Sequence, residues 1–128
     1  GYGRIINVIS TSVYEPIPNL GVSNTTRAAV AGWAKTLARE LGPEAITVNN
    51  VLPGFTETGR IAQIVGNEMQ KTGNDEASVR QRMTSAVPLG RFAKPDETAS
   101  LIAFLASPAA GYISGQSIAV DGGRMNSI

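Results

Sequence analysis

Apolar residues gather first in the run RIINVIS, residues 4–10, where isoleucine and valine occupy both odd and even positions. A run that is apolar on both parities fits a strand buried on both faces of a parallel sheet. Residues 10–21 then bring Pro16, Pro18, Gly21 and several hydroxyls, the composition of a loop. From Ser23 to Leu41 the period becomes helical. Val30, Ala34, Leu37 and Leu41 recur at spacings of four, three and four and predict one apolar face. Trp33 and Ala29 are expected to widen that face, and Ser23 and Arg27 to continue the stripe towards the helix start. Gly42-Pro43 stops the helix, and ITVNNVL at 46–52 predicts a second strand, ended by Pro53-Gly54.

The segment 56–87 is polar and helix-prone, with Gly59, Gly66 and Gly73 interrupting it, so two helices are expected near 59–71 and 75–86. After a connector at 87–95, Asp96 is placed to begin a helix through 97–107, ended by Ser107-Pro108. Residues 115–123 predict a last strand closed by Gly122-Gly123. Strands alternating with helices imply an α/β fold with a parallel sheet and right-handed crossovers. The excursion at 56–87 leaves the C-terminal end of a strand, where open α/β sheets bind ligands. Ala28, Ala29, Ala31 and Gly32 are small enough for a second helix to approach closely, or are simply good helix formers.

Composition narrows the chemistry. The 128 residues carry 11 Lys+Arg against 10 Asp+Glu, a net charge of +1, which gives no electrostatic case for nucleic acid or an anionic membrane. No apolar run approaches the roughly 20 residues that span a bilayer, and no signal-peptide pattern precedes the first strand. With no Cys and no His, disulfides, thiolate nucleophiles, Cys/His zinc sites and a Ser-His-Asp triad are excluded within this chain. The lack of Cys accords with a cytoplasmic location. Asp, Glu, Lys and three tyrosines (Tyr2, Tyr14 and Tyr112) remain for proton transfer. The chain begins with Gly rather than Met, as expected of a processed, truncated or partial piece of a longer protein.

GRIINVIS, AAVAGWAKTLARELGPEAITVNNVLPGFTET, PLGRFAKPDETASLIAFLAS and YISGQSIAVDGG, in that order, resemble the C-terminal half of a short-chain dehydrogenase/reductase, near the 3-oxoacyl-[acyl-carrier-protein] reductase-like branch. The resemblance covers almost the whole chain. It implies a Rossmann-type doubly wound parallel sheet, with residues 1–128 the C-terminal part of one NAD(P)-binding domain and 56–87 a substrate lid. It also implies NAD or NADP as cofactor, a small-molecule carbonyl or alcohol as substrate, and a homodimer or homotetramer formed through helix 23–41 and the C-terminal segment. GYG at 1–3 precedes a strand, whereas a dinucleotide fingerprint follows one. The pyrophosphate site and the catalytic Asn of the family are therefore expected outside this sequence.

The resemblance places the catalytic Ser at Ser10, with Thr11 and Ser12 as near alternatives and a strand-end hydroxyl as the bland reading. The Tyr-x-x-x-Lys motif of the family falls on Ser23 and Arg27, so both motif residues are replaced. A serine hydroxyl is shorter than a phenol and far less acidic, and Ser23 reads equally as an N-cap or first-turn hydroxyl. Arg27 keeps the positive charge and is able to bond a nicotinamide ribose, but it cannot relay a proton as Lys can. Tyr14, in the loop between Ser10 and Ser23, is the candidate replacement phenol. Tyr2 lies at the wrong end of the sheet, and Tyr112 reads as packing. PGFTET at 53–58 resembles the Pro-Gly-x-x-x-Thr motif of the family. By that likeness the backbone of Pro53, Gly54 and Phe55 holds the nicotinamide carboxamide and Thr58 adds a hydroxyl. Ser10, Tyr14, Ser23, Arg27 and Thr58 are thus expected around one cleft. Two functions follow: an NAD(P)-dependent oxidoreductase acting on a carbonyl or alcohol, a 3-oxoacyl thioester being one case, or a catalytically impaired dinucleotide- or metabolite-binding protein with a regulatory or scaffold role. A third reading has this piece inert alone, with its first strand exposing an edge.

Overall fold

The β-branched runs form the strands and the 3.6-period segments the helices. In a computed structural model that describes all 128 residues, β1 (Gly3–Val8) is followed by α1 (Gly21–Glu40), β2 (Ile46–Pro53), α2 (Gly59–Thr72), α3 (Glu76–Ser85), α4 (Pro95–Ala106) and β3 (Ser117–Val120). The strands form one parallel sheet in the order β1-β2-β3. No helix is long and apolar enough to cross a membrane.

Alternation along β2 divides its side chains between two helical layers. Val51 packs with Leu105 and Ala110 in a fully buried cluster, against Leu101 and Ile102 of α4 and Ile6 and Ile118 of the flanking strands. Val48 and Leu52, also fully buried, point to the opposite face, which α1 covers. Two asparagines interrupt this apolar strand, and both are satisfied as buried amides must be. Asn49 donates to the Ile113 carbonyl at 2.8 Å and accepts from the Gln116 amide at 3.0 Å. Asn50 accepts from Asn7 at 2.9 Å and donates to Ser117 Oγ at 3.0 Å. Asn7, Asn50 and Ser117 are direct partners in both ladders, so one row of side-chain hydrogen bonds crosses all three strands.

Three expectations change. β1 is the sheet edge in this chain and only half-buried, with Val8 50% exposed, rather than buried on both faces. On α1, Ala34 is buried and Val30, Leu37 and Leu41 half-buried, but Trp33 and Ala29 face outward, because each lies one helical step off the contact stripe. Tyr112 is fully exposed and packs against nothing. Boundaries move slightly: α1 begins at Gly21, α4 at Pro95, and the last strand shortens because Asp121 starts a turn in which Gly122 and Gly123 take positive φ. A Cβ on Gly122 would also sit 2.7 Å from Val87 Cγ1.

The start of α4 is held by an ion pair. Arg91 grips Glu97 with two bonds of 2.7 and 2.8 Å, and Glu97 also accepts the Lys94 amide at 2.8 Å. The Arg91 bonds first, then the Lys94 amide, lower the Glu97 carboxyl from 4.5 to about 2. Its contribution is therefore complete above the unfolded value and is lost as pH falls towards the folded one. Thermal unfolding of Glu97→Gln against the wild type should show the largest gap in Tm near neutrality, narrowing steadily between about pH 5 and pH 2.

Candidate active site

The site begins where β1 and β2 end together. The Ile9 amide donates to the Val51 carbonyl at 2.9 Å, continuing the parallel ladder past Val8. The next rung would join the Ile9 carbonyl to the amide of residue 53, which is proline and has no N–H. Arg27 fills the gap. Its Nη1 donates to the Ile9 carbonyl at 2.9 Å and reaches the Val8 carbonyl at 3.5 Å. The arginine thus ties α1 to the end of the sheet and brings its charge there.

Beyond Ile9 the chain enters a short helical turn, Thr11–Val13, with Ser10 as its N-cap. Ser10 Oγ accepts from the Ser12 amide at 3.1 Å, which leaves its proton free to donate. Thr11 is buried, and its Oγ1 accepts from Nη2 of Arg124 at 2.8 Å. The guanidinium of Arg124 also lies over the Phe55 ring, 4.9 Å from its centre. Two carboxylates fix the backbone around Arg124 without pairing with it. Asp121 accepts the Gly123 and Met125 amides at 3.0 and 2.8 Å, and Glu15 accepts those of Asn126 and Ser127 at 2.7 and 3.0 Å.

The other wall is PGFTET. Gly54 is needed for close approach, since a Cβ there would fall 2.8 Å from the Asp121 Cα. Ala93 pins the following residues: its amide donates to the Phe55 carbonyl at 2.9 Å, and its carbonyl accepts the Glu57 amide at 2.8 Å. The Phe55 and Thr56 amides have no acceptor in the chain. Thr58 is the residue before α2, and its hydroxyl makes no capping bond.

These walls enclose a cleft of about 440 Å³ lined by Ser10, Arg27, Pro53, Gly54, Phe55 and Thr58. Ser23 and Arg27, on which the resemblance placed the motif, both line a groove along the β1 edge with Asn7 and Val30. Arg27 also borders the cleft, whereas Ser23 does not. Tyr14 is also elsewhere: its hydroxyl donates to the Ser117 carbonyl at 3.3 Å, turning the phenol away from the cleft. Tyr2 donates to the Ala106 carbonyl at 2.7 Å, far from the site. The five-residue cleft expected from the sequence therefore reduces to Ser10, Arg27 and Thr58. The cleft adds Arg60, Thr98 and Arg124, which sequence reasoning passed over. Arg124 follows a Gly-Gly turn and Thr98 sits within an ordinary helix, so no local pattern marked either one.

Residues 1–125 match the profile of a family described as enoyl-(acyl carrier protein) reductase. The chain belongs to the short-chain dehydrogenase/reductase family. It is similar to the NADPH-dependent reductase BacG of Bacillus subtilis (strain 168), 40% identical over 127 residues, covering 99% of this chain and 49% of that protein. It is also similar to the 3-oxoacyl-[acyl-carrier-protein] reductase FabG of Vibrio cholerae, 44% identical over 123 residues, covering 94% of this chain and 45% of that protein. Among solved structures, the NADPH-dependent reductase YwfH, involved in bacilysin biosynthesis, superposes with a TM-score of 0.92 at 40% identity, over 98% of this chain and 48% of that one. The chain thus spans about half the length of these short-chain dehydrogenases/reductases.

The coupling of Arg27 and Pro53 is testable. Arg27→Met removes the donor to the Ile9 carbonyl and should cost about 1–2 kcal/mol of stability in denaturant unfolding. Pro53→Ala restores a ladder amide, so the same change should cost distinctly less in a Pro53→Ala background; strictly additive effects would contradict the geometry.

Proposed function

We propose that the protein is an NAD(P)-dependent oxidoreductase that interconverts a carbonyl and an alcohol, with 3-oxoacyl thioesters among the substrates its relatives bring forward. The observation that carries this reading is the meeting of the Ser10 hydroxyl, the Arg27 guanidinium and two unpaired amides at the C-terminal end of the sheet. The donor set fits a nicotinamide. The Phe55 and Thr56 amides offer donors to a carboxamide oxygen, Pro53 and Gly54 line the same wall, and the Thr58 hydroxyl is free. The NADPH dependence of BacG and YwfH supports NADPH within the NAD(P) class. Residues 56–87 serve as the substrate lid. A cytoplasmic location and a homodimer or homotetramer through α1 and the C-terminal segment belong to the same reading.

The chemistry the cofactor supplies when bound is hydride transfer. Ser10 Oγ donates to the substrate oxygen and orients the carbonyl. Arg27, held against the sheet, places positive charge where that oxygen becomes negative, so little reorganisation is needed. No lining side chain is a carboxyl, phenol, imidazole or amine. In this reading the alcohol oxygen therefore takes its proton from water at the cleft mouth. The same observation favours the second reading, a dinucleotide-binding protein without turnover.

Nicotinamide absorbance, followed with the full-length protein and a panel of ketones and 3-oxoacyl thioesters, separates the two. Turnover is expected, with Ser10→Ala lowering kcat/KM by about 10²–10³. Calorimetric binding of NADPH without turnover would establish the second reading, and binding of neither nucleotide would remove both. Tyr14→Phe should leave turnover within about twofold of wild type, because its phenol does not face the cleft.

A further inference from the structure

The charge of the cleft is one-sided. Arg27, Arg60 and Arg124 line it, no acidic residue does, and none of the three is paired with a carboxylate anywhere in the chain. Elsewhere Arg80 pairs with Glu57 and Glu76, Arg82 with Glu68 and Arg91 with Glu97, while Arg4 and Arg39 have no carboxylate partner. α2 also opens into the cleft at its positive end, with no acidic residue in its first turn. A second observation points to a polar ligand: Thr98 Oγ1 is buried on the cleft wall, in a residue only 8% exposed, with no hydrogen-bond partner. An unneutralised group of arginines beside an unsatisfied hydroxyl is costly for the protein alone and favourable once an anion arrives.

The three arginines are not equivalent. Arg27 is committed to the Ile9 and Val8 carbonyls. Arg124 is held by Thr11, the neighbour of Ser10, and is braced on Phe55, while its Nη1 has no protein partner. A carbonyl on Ser10 and an anion on Arg124 would then lie close together on one wall, because Thr11, which holds Arg124, follows Ser10 directly. The remaining wall is apolar, with Ile17, Ile61 and Ile64. We propose that Arg124 reads a carboxylate on the substrate, so that the preferred substrate is a 2-oxo or 3-oxo acid with an apolar chain rather than a neutral ketone or thioester. This rests on the oxidoreductase reading and names its substrate class. The nicotinamide ring and its carboxamide bring no negative charge to Arg124, which leaves that role to the substrate.

The test compares 2-oxohexanoate and 3-oxohexanoate with their methyl esters and with a 3-oxohexanoyl thioester, in the full-length protein with NADPH. At least one free acid should exceed its ester in kcat/KM by about tenfold to a hundredfold. Arg124→Met should collapse that ratio towards one, Arg124→Lys should give an intermediate ratio, and KM for NADPH should move little in either. A wild-type ratio near one, a thioester preferred to both acids, a ratio unchanged in Arg124→Met, or an effect confined to KM for NADPH would overturn the proposal, the last assigning Arg124 to a cofactor phosphate. If Arg124→Met does not fold, the Arg124→Lys ratio decides. Should no carbonyl turn over with either nucleotide, the oxidoreductase reading fails on its own. Calorimetry with 2-oxohexanoate then judges Arg124: binding weakened by the substitution supports it, and no binding to the wild type overturns it.

Discussion

Arg27 takes the place of a backbone amide that Pro53 cannot supply, and the site is organised around that exchange. A proline at the end of a central strand ends the ladder and turns the chain into PGFTET, but it leaves the Ile9 carbonyl without its natural donor. Supplying that donor from α1 fixes the first turns of the helix against the sheet and brings a permanent positive charge beside Ser10. A lysine would offer a point charge on a more mobile stem, whereas the planar guanidinium spends one nitrogen on the backbone and keeps others for the cleft. If Arg27 stands where the family carries its Lys, as the resemblance implies, that exchange is compatible with the proposed site, whereas no phenol lines the cleft for the expected Tyr.

The cleft that results is rich in fixed positive charge and poor in groups that exchange protons. This separates two tasks that a phenol next to an amine performs together. In the proposed oxidoreductase reading, electrostatic stabilisation of a developing oxyanion is kept and proton delivery passes to solvent. An acidic substrate would benefit twice from such a cleft, through binding and through the stabilised oxygen, which is why the absence of any lining carboxylate weighs more here than the identity of any single hydroxyl.

The elements were legible because they rest on periodicity, and every predicted strand and helix is present within a few residues. The Ser10, PGFTET and Arg27 cluster was legible because the motif order of the family carries it. What escaped depended on side-chain direction. Tyr14 lies in the expected loop, yet its hydroxyl follows a carbonyl of β3. Ser23 stays on the stripe shared with Arg27, but its short side chain ends in the groove beside β1. Trp33 illustrates the same limit, since an apolar residue next to a contact stripe need not join it. Arg124 and Thr98 reach the cleft from segments far apart in sequence, and only the folded chain brings them together.

The row that links Asn7, Asn50 and Ser117 has a consequence for assembly. Isoleucine and valine are nearly interchangeable partners, and strands made of them alone would slide past one another at little cost. An amide buried in such a strand tolerates no slip, because a shift of two residues would set it against a methyl group with its bonds unmade. The asparagines therefore act as alignment marks. A slip of β1 or β3 along β2 would break that row, so the converging strand ends that build the cleft are aligned by a polar line a few residues below it.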